Sequence, residues 1–188
     1  MPVRPRPRWL RDAERVDTAI YAAIAATPTP ELDRVMGRLT HAADRSGVWV
    51  ASAGALAALG GQSGRRAAVA GLSSIAVASG VVNALLKPLA RRRRPDREAQ
   101  GVPLERHVAM PTSRSLPSGH AASAFAFATG VGHVLPREAA ALRGVAAAVA
   151  YSRVHTGVHY PGDVIIGALV GSACAQATMR AVDARRRS

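Results

Sequence analysis

A single cysteine, Cys174, occurs in 188 residues, so neither an internal disulfide framework nor a CxxC zinc or redox pair can form within the chain. Aromatic residues make up only 4%, thin for a surface that holds single-stranded nucleic acid by stacking. Acidic residues are also scarce: 12 Asp and Glu stand against 25 Lys and Arg, with no acidic cluster of the kind that holds magnesium. No GxxxxGKS/T loop is present, which removes the P-loop nucleotide enzymes. The opening MPVRPRPRWLR has no apolar core and is not expected to be a signal peptide.

What remains is a basic chain, net charge +13, in which hydrophobic residues reach 48%. A soluble domain this basic suggests a nucleic-acid partner. The apolar residues, however, fall into long Ala/Val/Leu/Gly blocks with the charges between them, and no nucleic-acid partner is expected. The expected fold is all-α, an integral membrane helical bundle with about five spanning helices and one or two N-terminal interfacial helices. Residues 1–15 read as a basic flexible tail, 16–182 as one membrane domain and 183–188 as a basic C-terminal tail.

Val16–Ala26 and Glu31–Ala43 carry apolar residues at helical spacing and read as interfacial helices. Gly47–Gly60 is apolar but short for a span, and Gly61–Arg66 reads as a turn. Ala67–Leu86 is the clearest span, an uncharged stretch that as a helix covers ~30 Å of hydrocarbon. Lys87–Leu116 is rich in Arg and Pro and reads as a loop. Ser118–Leu135, Ala139–Tyr151 and Val164–Ala181 complete the bundle, with small residues suited to close helix packing in lipid.

Three polar clusters lie where apolar blocks begin or end: Lys87 to Pro95, Pro117-Ser118-Gly119-His120, and Ser152-Arg153 followed by His159 to Asp163. Counting spans places all three on one membrane face. Lys87, Arg94 and Arg153 supply cations, and Ser118 and Gly119 open a helix whose free N–H groups favour an anion. That combination describes a phosphate pocket. His120 and His159 add nucleophile and acid/base capacity. Asp163, four residues after His159, can fix that imidazole's orientation. The residues alone do not say which histidine is the nucleophile.

The spacing K-x6-RP, PSGH and SR-x5-H-x3-D resembles the type 2 phosphatidic acid phosphatase (PAP2) family, and the related bacterial acid phosphatases and vanadium haloperoxidases. All three motifs are complete and in order, from Lys87 to Asp163. The resemblance implies that His159 attacks phosphorus to form a phosphohistidine, oriented by Asp163. His120 then protonates the leaving alkoxide and activates water. Lys87, Arg94, Ser118, Gly119 and Arg153 bind the phosphoryl oxygens, with no metal and no cofactor. It also implies a substrate carrying a phosphate monoester or diphosphate on an amphiphile: polyprenyl phosphate, phosphatidic acid or phosphatidylglycerophosphate.

Other readings compete. Arg91, Arg92 and Arg93 read as a solvated or headgroup-facing charge run. A zinc face of His155, His159 and Asp163 is undercut by Gly157, Pro161 and Gly162, which break the helix it needs. His107 reads as an idle loop residue. A soluble-type acid phosphatase or haloperoxidase conflicts with the Ala67–Leu86 span. A non-catalytic basic membrane protein that binds anionic lipid leaves the two histidines and Asp163 without a purpose. A count of cations by face puts the site in the cytoplasm, whereas the family resemblance implies a multi-pass cell-membrane protein with an extracytoplasmic site.

Overall fold

The computed structural model describes residues 7–188, and all its regular elements are helical. Two amphipathic helices come first, α1 (Arg8–Ala26) and α2 (Pro30–Ala42). They are followed by α3 (Gly47–Leu59), α4 (Gly61–Gly80), α5 (Gly119–Gly132), α6 (Pro136–His155) and α7 (Pro161–Arg187). A π-helical stretch, Val81–Leu86, and one further turn, Lys87–Leu89, prolong α4. Proline at the first helical position starts α2, α6 and α7, where its missing N–H costs no hydrogen bond.

Size is distributed against the rule for soluble proteins. The interior around α5 is built largely from small residues, among them Ala67, Ala78, Ala121, Ala124, Ala128 and Ala146, with Trp49, Phe127, Ile75, Val131 and Val149 as its larger members. Val69 and Val77 on α4, and Ile165, Ile166 and Leu169 on α7, face outward instead. An interior rich in alanine, with many branched apolar residues left outside, fits helices packed in lipid, where apolar side chains gain nothing by turning inward. Two helical segments, Gly61–Leu89 and Pro161–Arg187, are long and apolar enough to cross a membrane.

Helices α5 and α7 approach closely because glycine permits it. A Cβ on Gly171 would sit 2.1 Å from the Ala122 carbonyl oxygen, and one on Gly167 would sit 2.5 Å from that of Ser118. The α3–α4 corner is equally tight: a Cβ on Gly64 would lie 2.0 Å from the Leu56 oxygen.

Several boundaries differ from the sequence reading. Residues 8–15 were expected in a flexible tail but form the first turns of α1; residues 1–6 of that tail lie outside the described residues. Gly61–Arg66 is helix rather than turn. Gly61, at φ +57°, reverses the chain within one residue, so the arginines fall in the opening turns of α4. The expected C-terminal tail, 183–188, is helical through Arg187.

The α2–α3 connection bends through Arg45 (φ 51°) and Ser46 (φ 62°), two successive non-glycine residues in the left-handed region. Each costs ~1–2 kcal/mol. The long segment after α4 is tied down by Arg106, only 1% exposed. Arg106 donates to Asp33 (2.8 Å) and to the carbonyls of Ile24 (2.9 Å) and Thr27 (2.6 Å), closing the open end of α1. His155 joins this cluster through Asp33 Oδ1, 2.7 Å from its Nε2. It therefore faces away from Asp163, and the zinc face does not exist.

Candidate active site

The three sequence clusters come together at one end of the bundle. Lys87 begins the last turn of the α4 extension. Arg94 lies on the extended segment that follows, Ser118 to His120 open α5, Arg153 ends α6, and His159 and Asp163 straddle the start of α7.

His159 is 2% exposed, and each of its ring nitrogens has a protein partner. Nδ1 faces Asp163 Oδ2 at 3.4 Å, and Nε2 faces Arg94 Nη1 at 3.2 Å. With Nδ1–H donating to the carboxylate, the Nε2 lone pair points to the guanidinium, where a phosphoryl group would be held. Burial pushes the His159 pKa down to about 4. The Asp163 hydrogen bond opposes that shift, and the charges of Arg94 and Arg153 reinforce it. The ring is thus neutral, the state a nucleophile needs.

Asp163 is fully buried and held from four sides. Ser115 Oγ and the Tyr160 N–H (3.0 Å) donate to Oδ2, and Arg92 Nη1 donates to Oδ1 at 3.1 Å. Its own carbonyl accepts from the Ser118 N–H at 3.0 Å, joining the first turns of α5 and α7.

The cations are held in place from behind. Arg94 donates to the carbonyls of Ser113 (2.9 Å) and Val158 (3.1 Å). Ser113 Oγ lies 3.2 Å from Arg94 and 3.4 Å from Lys87 Nζ. Arg153 is 2% exposed and donates from Nη1 to Thr40 Oγ1, while its Nε is buried with no partner. A buried donor left open at a cationic pocket suits an anion.

Ser118 caps α5 by accepting from the Ala121 N–H at 3.4 Å, and its own N–H is already committed to Asp163. The N–H groups of Gly119 and His120 have no partner among the described residues, so these two carry the anion-binding capacity of that helix start. A Cβ on Gly119 would be 3.6 Å from Lys87 Nζ. His120 Nε2 pairs with Asp44 Oδ1 at 3.0 Å. A cleft of about 180 Å³ opens beside His120, Gly119 and Lys87, with Ser46, Ser79, Asn83 and Ser123 among its walls. Among the described residues, no three His, Cys, Asp or Glu side chains gather as a metal site.

Arg92 corrects the reading of Arg91–Arg93 as a solvated run. Besides Asp163 it bonds Asp17 Oδ2, and its guanidinium stacks on the Tyr160 ring, 4.2 Å from the centroid. Its signal was the two-residue period of an extended segment before Pro95: Arg92 and Arg94 turn inward, Arg91 and Arg93 outward. Asp17, Asp44, Thr40, Ser113 and Ser115 were missed as well, and no local spacing marks them. His107 bonds within its own loop, its Nε2 3.1 Å from the Val102 carbonyl.

A sequence profile of the PAP2 superfamily matches residues 67–187. The chain belongs to that superfamily. The decaprenylphosphoryl-5-phosphoribose phosphatase of Mycolicibacterium smegmatis is 34% identical over 162 residues, 84% of each chain. The enzyme of the same name from Mycobacterium tuberculosis is 39% identical over 90 residues, 47% of this chain and 46% of that one. The Aquifex aeolicus LpxE crystal structure superposes with TM-score 0.71 and 25% identity, covering 88% of this chain and 95% of that one. The Bacillus subtilis PAP2-type phosphatidylglycerolphosphate phosphatase gives TM-score 0.65 at 24% identity, covering 96% and 89%, and supports the fold. The protein is thus a membrane phosphatase of the PAP2 type.

Proposed function

We propose that this PAP2 phosphatase removes a phosphate monoester from the headgroup of a polyprenyl-linked sugar phosphate, through a phosphohistidine on His159. The observation that carries the chemistry is His159 itself, neutral, pinned at Nδ1 by Asp163 and facing Arg94 at Nε2. His159 attacks phosphorus. Lys87, Arg94, Arg153 and the Gly119 end of α5 hold the equatorial oxygens, and Ser118 caps that end. His120 protonates the departing alkoxide and then takes a proton from the attacking water. The substrate class rests on the curated relatives' names and on the cleft, where Ser46, Ser79, Asn83 and Ser123 offer hydrogen bonds to a hydroxylated headgroup.

Phosphate release by the purified protein tests this reading. A prenyl-phosphoryl-phosphoribose should be hydrolysed with the highest kcat/KM, ahead of phosphatidylglycerophosphate and phosphatidic acid, and activity should persist in EDTA. A preference for a glycerophospholipid overturns the substrate class. Loss in EDTA that magnesium restores overturns the metal-free mechanism.

Further, we read α3 to α7 as five spans in the cell membrane, with α1 and α2 at the interface beside the site. The site then faces away from the cytoplasm, and the C-terminus faces into it. In a Cys174→Ala background, Ser188→Cys should resist an impermeant thiol reagent in intact cells and react after lysis. Labelling of intact cells reverses the assignment.

A further inference from the structure

The proposed mechanism gives His120 two proton transfers but says nothing of what holds its ring. A carboxylate is present there. Asp44 Oδ1 lies 3.0 Å from His120 Nε2, and Oδ2 lies 3.5 Å from His41 Nδ1. Asp44 heads the α2–α3 connection, immediately before the two left-handed residues Arg45 and Ser46. That strained bend carries the acid across to the first turn of α5, 76 positions further along the chain. Strain of this kind accumulates where a side chain must be aimed.

A carboxylate at the rim of a pocket for a phosphate dianion is electrostatically adverse to substrate. None of the residues lining the cleft is acidic. Asp44 is the carboxylate that the structure places within hydrogen-bonding distance of this imidazole. His120 Nδ1 has no partner among the described residues, and the ring keeps 24% of its side-chain surface open.

We propose that Asp44 is the positioning residue for His120: it accepts from Nε2–H, fixes the orientation of the ring and leaves Nδ1 as the working nitrogen. This rests on the reading of His120 as the general acid. Attack by His159 Nε2 forms the N–P bond as the P–O bond to the leaving group breaks, and the Nδ1 proton passes to the departing oxygen. In the second half, water attacks phosphorus and the N–P bond breaks. The water's proton goes to Nδ1, restoring the imidazolium. Nε2–H stays on Asp44 throughout, so the ring cannot flip between the two halves.

The test compares n-dodecyl phosphate, a poor leaving group, with p-nitrophenyl phosphate, a good one that needs little proton assistance. For Asp44→Asn, kcat on the alkyl ester should fall roughly tenfold or more, a share of the ~10²–10⁴ that general acid catalysis supplies. On the nitrophenyl ester it should fall less than about threefold, with KM unchanged or lower on both because an opposing charge is gone. Asp44→Ala should show the same discrimination, more strongly. Equal losses on the two esters, a raised KM, or inactivity of both variants on both esters would mean that Asp44 only supports the fold, and would overturn the proposal. Full alkyl activity in both variants would overturn it too. His120→Ala, run in parallel, should discriminate between the esters more sharply still. If His120→Ala loses both equally, the general-acid reading fails first and the role of Asp44 falls with it. If His120→Ala discriminates and the Asp44 variants do not, the proposal alone fails.

Discussion

His159→Ala is expected to reduce kcat by at least ~10⁴ and to abolish the phosphoenzyme altogether. The size follows from the geometry. His159 is the one ring in the pocket whose Nδ1 is fixed by a fully buried carboxylate while its Nε2 faces a guanidinium. Asp163 in turn is locked by Ser115, Tyr160 N–H and Arg92, so it has no freedom to serve another base. Removing the imidazole leaves a pocket that still binds the phosphoryl oxygens but has nothing to attack with. KM should change much less than kcat. Rapid quench into alkali with a ³²P-labelled substrate measures the effect, since a phosphoramidate survives base and decays in acid. Labelled protein persisting in His159→Ala would move the nucleophile elsewhere, with His120 the first candidate.

Arg92→Ala is expected to be the most damaging substitution outside the phosphate pocket. Its guanidinium bridges Asp163 and Asp17 and covers Tyr160. Without it, Asp163 stays buried with its Oδ1 deprived of a charged donor. Breaking a buried pair from one side costs ~3–5 kcal/mol; Arg92 keeps 22% side-chain exposure, so about 2–3 kcal/mol is the fitting range. Because α1 is held to the start of α7 through Asp17, which also accepts from the Gly162 N–H at 2.7 Å, this corner should open first on heating. Thermal unfolding in detergent should show a lowered midpoint, with kcat down roughly tenfold as Asp163 loses its aim. Arg91→Ala, on the outward side of the same segment, should leave both unchanged. Equal behaviour of the two variants would return Arg92 to the solvated run.

The two variants also mark the boundary of what the sequence carries. Lys87, Arg94, Gly119, His120, His159 and Asp163 were legible because their chemistry is written in short spacings around helix ends. Asp44, Asp17 and Ser115 were not, because each meets its partner across 44 to 145 positions, and no local period encodes such a contact. Arg92 lay between the two cases. Its two-residue alternation was visible but was masked by four consecutive arginines of equal charge. The bundle itself was readable from its apolar blocks, whereas the helical start at Gly61 was hidden by polar residues that look like a turn. The extra turns of α1 were hidden by the prolines and arginines before them.

The close seam between α5 and α7 bears on how a bulky substrate gets in. Carbonyls of Ser118 and Ala122 lie against Gly167 and Gly171, and the Ser118 N–H is tied to the Asp163 carbonyl. His120 and Asp163 therefore ride on one rigid block that has no room to shear. The opposite wall of the cleft is built differently, from Ser79 and Asn83 of α4 and its extension and from the strained bend at Arg45 and Ser46. A change of headgroup preference with the catalytic geometry untouched is therefore to be sought at Ser79 and Asn83 on the α4 wall, and not at the bend, whose exchange would also move Asp44.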